Sequence, residues 1–160
     1  MKTFIQFLLI AEIAAGPVMR QNTQPIQLYS RTGKFMNILE SGKVMPKRGR
    51  QHITAIIEPV MVGNNRFKLQ GVKTGLYIKI SKNNKLRAVP FASDATIFSE
   101  EMLQQNNFSA FRLADRPHCR MSVTVKSYRI SCSQRISTNK ISFLRRPTHV
   151  PNSGRFGRFM

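Results

Sequence analysis

Residues 75–86, GLYIKISKNNKL, form the stretch that decides the fold. Apolar and polar residues alternate at its start, a polar turn follows, and a lysine and a leucine close it. Alternation with a period of two is typical of a β-strand. Asn83 and Asn84 suit a tight turn, where a positive φ is needed. The stretch therefore predicts a short β-hairpin.

The same pattern occurs earlier in the chain and, more weakly, later. Residues 33–44, GKFMNILESGKV, repeat it with Ser41-Gly42 at the turn, and residues 121–130 carry a divergent third copy. The copies are spaced by about 42 residues, which predicts a repeated architecture. Because alternate residues of a strand face one side, we expect one shared core. Its predicted members are Met36, Ile38, Ile78, Ile80, Met121 and Val123.

Strand and turn signals continue over most of the 160 residues, without a helical stretch of ordinary length. One domain suits this length. Three hairpin-rich units predict an all-β fold, a pseudo-threefold β-trefoil of about twelve short strands closed on itself. A sandwich of two sheets is the alternative, but it does not account for the spacing.

Positive charge dominates the composition, with 26 Lys and Arg against 7 Asp and Glu and a net charge of +19. A protein this basic attracts polyanions, whether nucleic acid, anionic membrane or sulfated glycan. Charge alone does not choose among them. No acidic residue follows Asp115, so the last third of the chain is purely basic.

The ends of the chain differ in composition from its centre. Residues 1–16 combine one lysine, a short apolar run and small residues, which predicts a signal peptide and secretion. An N-terminal amphipathic or buried helix is the alternative, and the run is too short to span a membrane. We expect a flexible lead-in at 17–25, the trefoil at 26–147 and a basic flexible tail at 148–160.

The residues that carry most enzymatic chemistry are scarce. His52, His118 and His149 lack metal-ligand spacing, and no nucleophile, phosphate-loop or dinucleotide motif occurs. We expect no enzymatic activity, no catalytic residue, no metal and no cofactor. Cys119 and Cys132 could bridge if their strands form a hairpin, but two free, half-buried thiols are the favoured prediction.

Five short segments in order resemble fibroblast growth factors. They are IQLYSRTG at 26–33, His52-Ile53, GVKTGLYI at 71–78 with Lys85-Leu86, FSEEMLQQNNF at 98–108, and Phe143-Leu144 followed by Pro147. The resemblance implies a β-trefoil growth factor that binds a fibroblast growth factor receptor, a receptor tyrosine kinase, with heparan sulfate proteoglycan as co-ligand. The third repeat departs most, with His118-Cys119 or Cys119-Arg120 where the family tends to have Trp-Tyr.

The resemblance also implies two sets of binding residues. The receptor-binding residues are Tyr29, Glu101, Asn106, Phe108 and Leu144, with Glu100 as the alternative to Glu101. The heparan sulfate-binding residues are Lys126, Arg129, Gln134, Arg135, Asn139 and Lys140. Cations and amides are the chemistry that fixed sulfates require.

Two other functions share parts of this pattern. An intracellular trefoil homologue would keep the fold and the basic face, and the signal-like start argues against it. A nucleic-acid-binding basic β protein is disfavoured because the C-terminal cations lack clustered aromatics for base stacking. Asn107-Phe108-Ser109 is an N-glycosylation pattern, which would crowd the receptor residues if occupied.

Overall fold

A computed structural model describes residues 24–103 and 107–148 of the chain. These residues form twelve short β-strands. They are β1 (Ile26–Ser30), β2 (Phe35–Ile38), β3 (Val44–Lys47), β4 (Ile57–Gly63), β5 (Arg66–Gly71), β6 (Tyr77–Ile80), β7 (Leu86–Val89), β8 (Phe98–Met102), β9 (Ser109–Leu113), β10 (Arg120–Val123), β11 (Tyr128–Ser131) and β12 (Phe143–Pro147). Short 3-10 turns lie at Ile53–Ala55 and Ala92–Asp94, and one helix, α1, spans Thr138–Ile141. The predicted all-β class and strand number are confirmed.

Six of the strands close into a barrel. β1 pairs with β4 and β12, β4 with β5, β5 with β8, β8 with β9, and β9 with β12, all antiparallel. The other strands form three hairpins, β2–β3, β6–β7 and β10–β11, which we call the hairpin cap. Three hairpins on a six-stranded barrel form a β-trefoil, so the predicted fold is confirmed. The alternative, a sandwich of two sheets, does not match this closed barrel.

Positive backbone φ angles occur at the predicted turns. Gly42 has φ 87° and Asn84 has φ 59°. A Cβ atom at Gly42 would lie 2.9 Å from the carbonyl oxygen of Ala88. The two backbones approach this closely because the Ala88 amide donates to the Gly42 carbonyl at 2.8 Å. In the same way, the Ile130 amide donates to the Asn84 carbonyl at 2.7 Å. These turns therefore join each hairpin to the next.

Buried positions follow the threefold repeat. Equivalent strands supply the buried sets Leu28, Leu69 and Phe111; Met36, Ile78 and Met121; Val44, Leu86 and Tyr128; and Ile57, Phe98 and Phe143. Of the predicted core residues, Ile80 is half-buried against the edge of the cluster, and the other five are buried.

Tyr128 fills in the third repeat the site that Val44 and Leu86 fill in the others. Its hydroxyl has no hydrogen-bond partner among the described residues. Burial raises the pKa of the Tyr128 hydroxyl well above its usual range, because the protein interior disfavours the phenolate. The side chain is therefore neutral, and its ring fills the core while its hydroxyl is buried without a partner among the described residues.

A disulfide joins Cys119 to Cys132, so the prediction of free thiols was wrong. Arg120 pairs with Ser131 in the β10–β11 hairpin, which places the two cysteines at the next opposite positions, with Cα atoms 4.0 Å apart. The spacing in sequence does not reveal this register, whereas the hairpin imposes it. Among the described residues, no helix is long and apolar enough to cross a membrane.

Candidate functional site

Four neighbouring barrel strands bring most of the receptor candidates to one outer face. Leu28 points into the core, so Tyr29 points outward, directly opposite Leu144 on β12. The Tyr29 ring lies 5.0 Å from that of Phe35, and the Arg146 guanidinium lies 5.4 Å from its centroid. Both Tyr29 and Leu144 are half-buried, which leaves an apolar, partly accessible pair.

Phe108 immediately precedes β9, the strand that pairs with β12 in the barrel. Its ring is half-buried beneath the Arg31 guanidinium, 5.6 Å from the ring centroid. The Leu103 amide donates to the Phe108 carbonyl at 2.9 Å and so closes the β8–β9 connection. Asn106 lies outside the described residues. Asn107 is exposed with φ 62°, so the glycosylation pattern begins on an accessible turn.

Glu101 lies on the same outer face, where two cations approach it. Its Oε2 atom is 3.4 Å from Arg120 Nη2 and 3.8 Å from Arg112 Nη1, and all three side chains are about one-third exposed. Ion pairs this accessible contribute about 0–1 kcal/mol each to stability. The carboxylate can therefore exchange these partners for a cation or donor on another molecule at small cost.

Glu100 faces the other way, which separates the two adjacent acids. It pairs with Phe111 across the β8–β9 ladder, on the core side, and its Oε1 accepts from Arg145 Nε at 2.9 Å. The Arg145 guanidinium lies 5.3 Å from the Phe67 ring centroid. Asn65 also binds the Glu100 backbone, accepting from its amide and donating to its carbonyl. Glu100 is thus held within the barrel's own structure, and the geometry favours Glu101 as the surface carboxylate.

The glycan candidates are all exposed. Lys126 lies in the β10–β11 turn, and Arg129 on β11 donates to the Asn83 carbonyl at 3.2 Å. Gln134 and Arg135 follow β11. Asn139 and Lys140 lie in α1. The disulfide at Cys132 fixes the start of this β11–β12 segment, and Ser142 Oγ donates to the Thr138 carbonyl at its end.

Sequence reasoning missed several cations that the fold brings to these surfaces. Arg112, Arg120, Arg145 and Arg146 contact the acids and aromatics described above, and these contacts depend on strand register. Lys126 also lines a groove together with five further cations of the hairpin cap. The signal for them was present, because lysines and arginines occupy outward positions in the repeated hairpins.

His118, Cys119 and Cys132 place their ligand atoms within 4.8 Å of one another. A thiolate is the form of cysteine that binds metal. Because the two sulfurs are bonded to each other, neither is available as a thiolate in this structure. The arrangement therefore serves as a cross-link between strands.

The closed barrel and its three hairpins define a β-trefoil protein. A family model described as "Fibroblast growth factor" matches residues 24–141. The chain belongs to the fibroblast growth factor family.

Fibroblast growth factor 8 proteins from three vertebrates are similar to it. The chicken (Gallus gallus) protein is 29% identical over 126 residues, covering 77% of this chain and 58% of that protein. The mouse (Mus musculus) protein is 31% identical over 110 residues, covering 67% of this chain and 41% of the mouse protein. The zebrafish (Danio rerio) protein is 31% identical over 98 residues, covering 59% of this chain and 46% of the zebrafish protein. The chain thus spans about half the length of the curated relatives it matches.

Proposed function

We propose that this chain is a secreted growth factor that binds a fibroblast growth factor receptor, with heparan sulfate as co-ligand. Membership of the family supports the class of function. The observation that carries the proposal is the common outer face of Tyr29, Leu144, Phe108 and Glu101, on or beside consecutively paired strands. We propose neither enzymatic activity nor a cofactor.

The receptor surface would combine apolar anchors with one exchangeable charge. Interfaces concentrate their energy in a few aromatic and charged residues that become fully desolvated. Tyr29 and Phe108 supply half-buried rings, and Glu101 supplies a carboxylate whose ion-pair partners in the described part of the chain are two accessible arginines. Asn106, which lies outside the described residues, belongs to the same proposed surface.

The glycan would bind the β11–β12 segment and neighbouring cations. Lys126, Arg129, Arg135 and Lys140 are exposed, and none forms an ion pair with an acid in the described part of the chain. A sulfated chain bound there releases counterions, so its affinity falls with salt. Growth factor and glycan together would raise the local concentration of receptors and favour their dimerisation.

The disulfide supports the extracellular location. Disulfides persist in oxidising compartments and are rare in the cytosol, which disfavours the intracellular homologue. The proposed organisation keeps residues 1–16 as a cleaved signal peptide, 26–147 as the trefoil and 148–160 as a basic tail.

Expression in a secretory cell tests this proposal. We expect processed protein in the medium that binds a receptor ectodomain. Glu101→Ala with Phe108→Ala should weaken that binding at least tenfold, because two central contacts are lost. Glu58→Ala with Phe91→Ala removes the same residue types elsewhere and serves as the control. Retention in the cytosol, or full receptor binding by the Glu101/Phe108 variant, would contradict the proposal.

A further inference from the structure

An open groove of about 1130 Å³ runs along the hairpin cap, between the first two hairpins and the turn of the third. Strands β3, β6 and β7 form its walls. Its charged lining residues are Lys43, Lys79, Lys82, Lys85, Arg87 and Lys126. Among the residues that the structure describes, no acidic residue lines it, and all six cations are exposed. We call this feature the cap groove.

Strand register places like charges side by side in the cap groove. Arg87 pairs directly with Lys79 across the β6–β7 hairpin, and it also forms a bridge with Lys43 of the first hairpin. Three cations therefore lie in one row across three neighbouring backbones. Lys85 forms a second such bridge, with Arg129 of the third hairpin. Like charges directly opposite each other destabilise a sheet.

None of the groove cations forms an ion pair with an acidic side chain of the described residues. Within residues 24–103 and 107–148, the three ion pairs involve Glu100 or Glu101, both on the barrel. The chain thus keeps rows of cations without ion-pair partners on the hairpin cap, where like charges opposite each other lower stability. A bound polyanion would relieve that repulsion, because its negative groups would be attracted to all of these cations together.

The lining chemistry favours a sulfated glycan over nucleic acid. No aromatic side chain of the described part of the chain lines the cap groove, so these residues offer bases no stacking platform. Five of its six cations are lysines, which act as point charges on flexible stems rather than as planar forks. Such a surface responds to the density of anionic groups along a chain.

We propose that the cap groove is a second heparan sulfate site, continuous with the β11–β12 segment through Lys126 and Arg129. Lys126 lines the groove, and Arg129 reaches the second hairpin by donating to Asn83. One glycan chain then contacts both regions, so a longer chain binds more tightly than a short one. This inference rests on the proposed function for the identity of the ligand and adds a separate place where it binds.

A triple substitution separates the cap groove from general positive charge. Lys79→Gln, Lys85→Gln and Arg87→Gln remove three groove cations. Arg66→Gln, Lys73→Gln and Arg116→Gln remove three exposed cations outside the groove and form the matched control. Heparin affinity is measured over a series of NaCl concentrations and oligosaccharide lengths. For the groove variant, we expect the slope of log affinity against log NaCl concentration to be smaller in magnitude by about 2. We also expect that longer oligosaccharides no longer bind it more tightly than short ones.

The melting temperature at low salt provides a second readout. We expect the groove variant to melt at the same temperature as the unsubstituted protein or higher, because the row of like charges is relieved. A loss of heparin affinity therefore cannot be attributed to unfolding. If groove and control variants lose the same affinity and slope, general charge explains binding and the inference is overturned.

Three further arms give distinct outcomes. If Arg135→Gln with Lys140→Gln abolishes heparin binding while the groove variant binds fully, the cap groove is not a site, although the proposed function stands. If the unsubstituted protein fails to bind a receptor ectodomain, the proposed function fails independently of the groove. Duplex DNA bound as tightly as heparin at matched salt would overturn the assignment to sulfated glycan.

Discussion

The second and third hairpins occupy equivalent places on the barrel but are held in different ways. β6–β7 buries Leu86 and turns through Asn84 with positive φ. β10–β11 buries the larger Tyr128 at the same position and closes its open end with the Cys119–Cys132 disulfide. The trefoil therefore specifies that each site be filled, and either compact packing or a covalent link can hold the hairpin in place.

The largest expected effect tests packing in the second hairpin. Leu86 is 1% exposed, and Leu86→Ala removes its side chain and leaves a cavity. We expect a loss of about 3–4 kcal/mol in the free energy of unfolding, measured by urea denaturation. Lys82→Ala, on the exposed turn of the same hairpin, should change it by less than about 0.5 kcal/mol. Similar values for both would show that this hairpin contributes little to the core.

The cross-link of the third hairpin comes next in size. Cys119→Ser with Cys132→Ser opens a loop whose ends are 13 residues apart in sequence. We expect a loss of about 3 kcal/mol, because the unfolded chain regains its conformational freedom. Reducing agent should destabilise the unsubstituted protein by a similar amount and leave the double variant unchanged. Insensitivity of both proteins to reductant would show that the bond does not form.

The turn of the second hairpin has a smaller expected effect. Asn84 has φ 59°, a conformation that costs most side chains about 1–2 kcal/mol. Asn84→Ala should therefore lower stability by about 1 kcal/mol, whereas Asn84→Gly, which accepts positive φ, should change it by a few tenths. Equal losses in urea denaturation would point to the asparagine side chain rather than to the backbone.

Tyr128→Phe should have an effect of similar size to Asn84→Ala but of the opposite sign. The buried hydroxyl of Tyr128 has no hydrogen-bond partner within residues 24–103 and 107–148, so Tyr128→Phe should raise the free energy of unfolding by about 1 kcal/mol. Tyr77→Phe, on half-buried Tyr77, should leave it within about 0.5 kcal/mol.

The pH dependence of stability provides an independent check on Tyr128. Burial raises the pKa of the Tyr128 hydroxyl in the folded state, so the folded protein keeps this proton after the unfolded chain loses it near pH 10. The contribution of this proton to the free energy of unfolding is complete below pH 10. Above pH 10 it falls by about 1.4 kcal/mol per pH unit. Tyr128→Phe should reduce this alkaline loss. An identical pH profile for both proteins would mean that the hydroxyl titrates at its ordinary pKa.

Much of the architecture could be predicted because it depends on local pattern. Alternation placed Met36, Ile78 and Met121 in the core, and the turn residues Gly42 and Asn84 have the predicted positive φ. These features depend on a few neighbouring residues, so a single sequence reveals them. The free-thiol prediction failed because disulfide formation depends on which residues lie opposite each other.

The candidate surfaces required more than pattern. Alternation alone assigns Glu100 and Glu101 to opposite faces without saying which face is the core, and the contact of Glu100 with Arg145 spans 45 residues of sequence. Likewise, the lysines of the first two hairpins are ordinary surface residues until register brings Lys43, Arg87 and Lys79 into one row.

The sequence by itself determined the strands, the repeat, the strong positive charge and the turns, because each arises from composition or from neighbours along the chain. Only the tertiary structure decided which cysteines meet, which of two adjacent acids is available at the surface, and which cations share a groove. Those outcomes require residues distant in sequence to come within a few ångströms, and closure of the barrel is what brings them together.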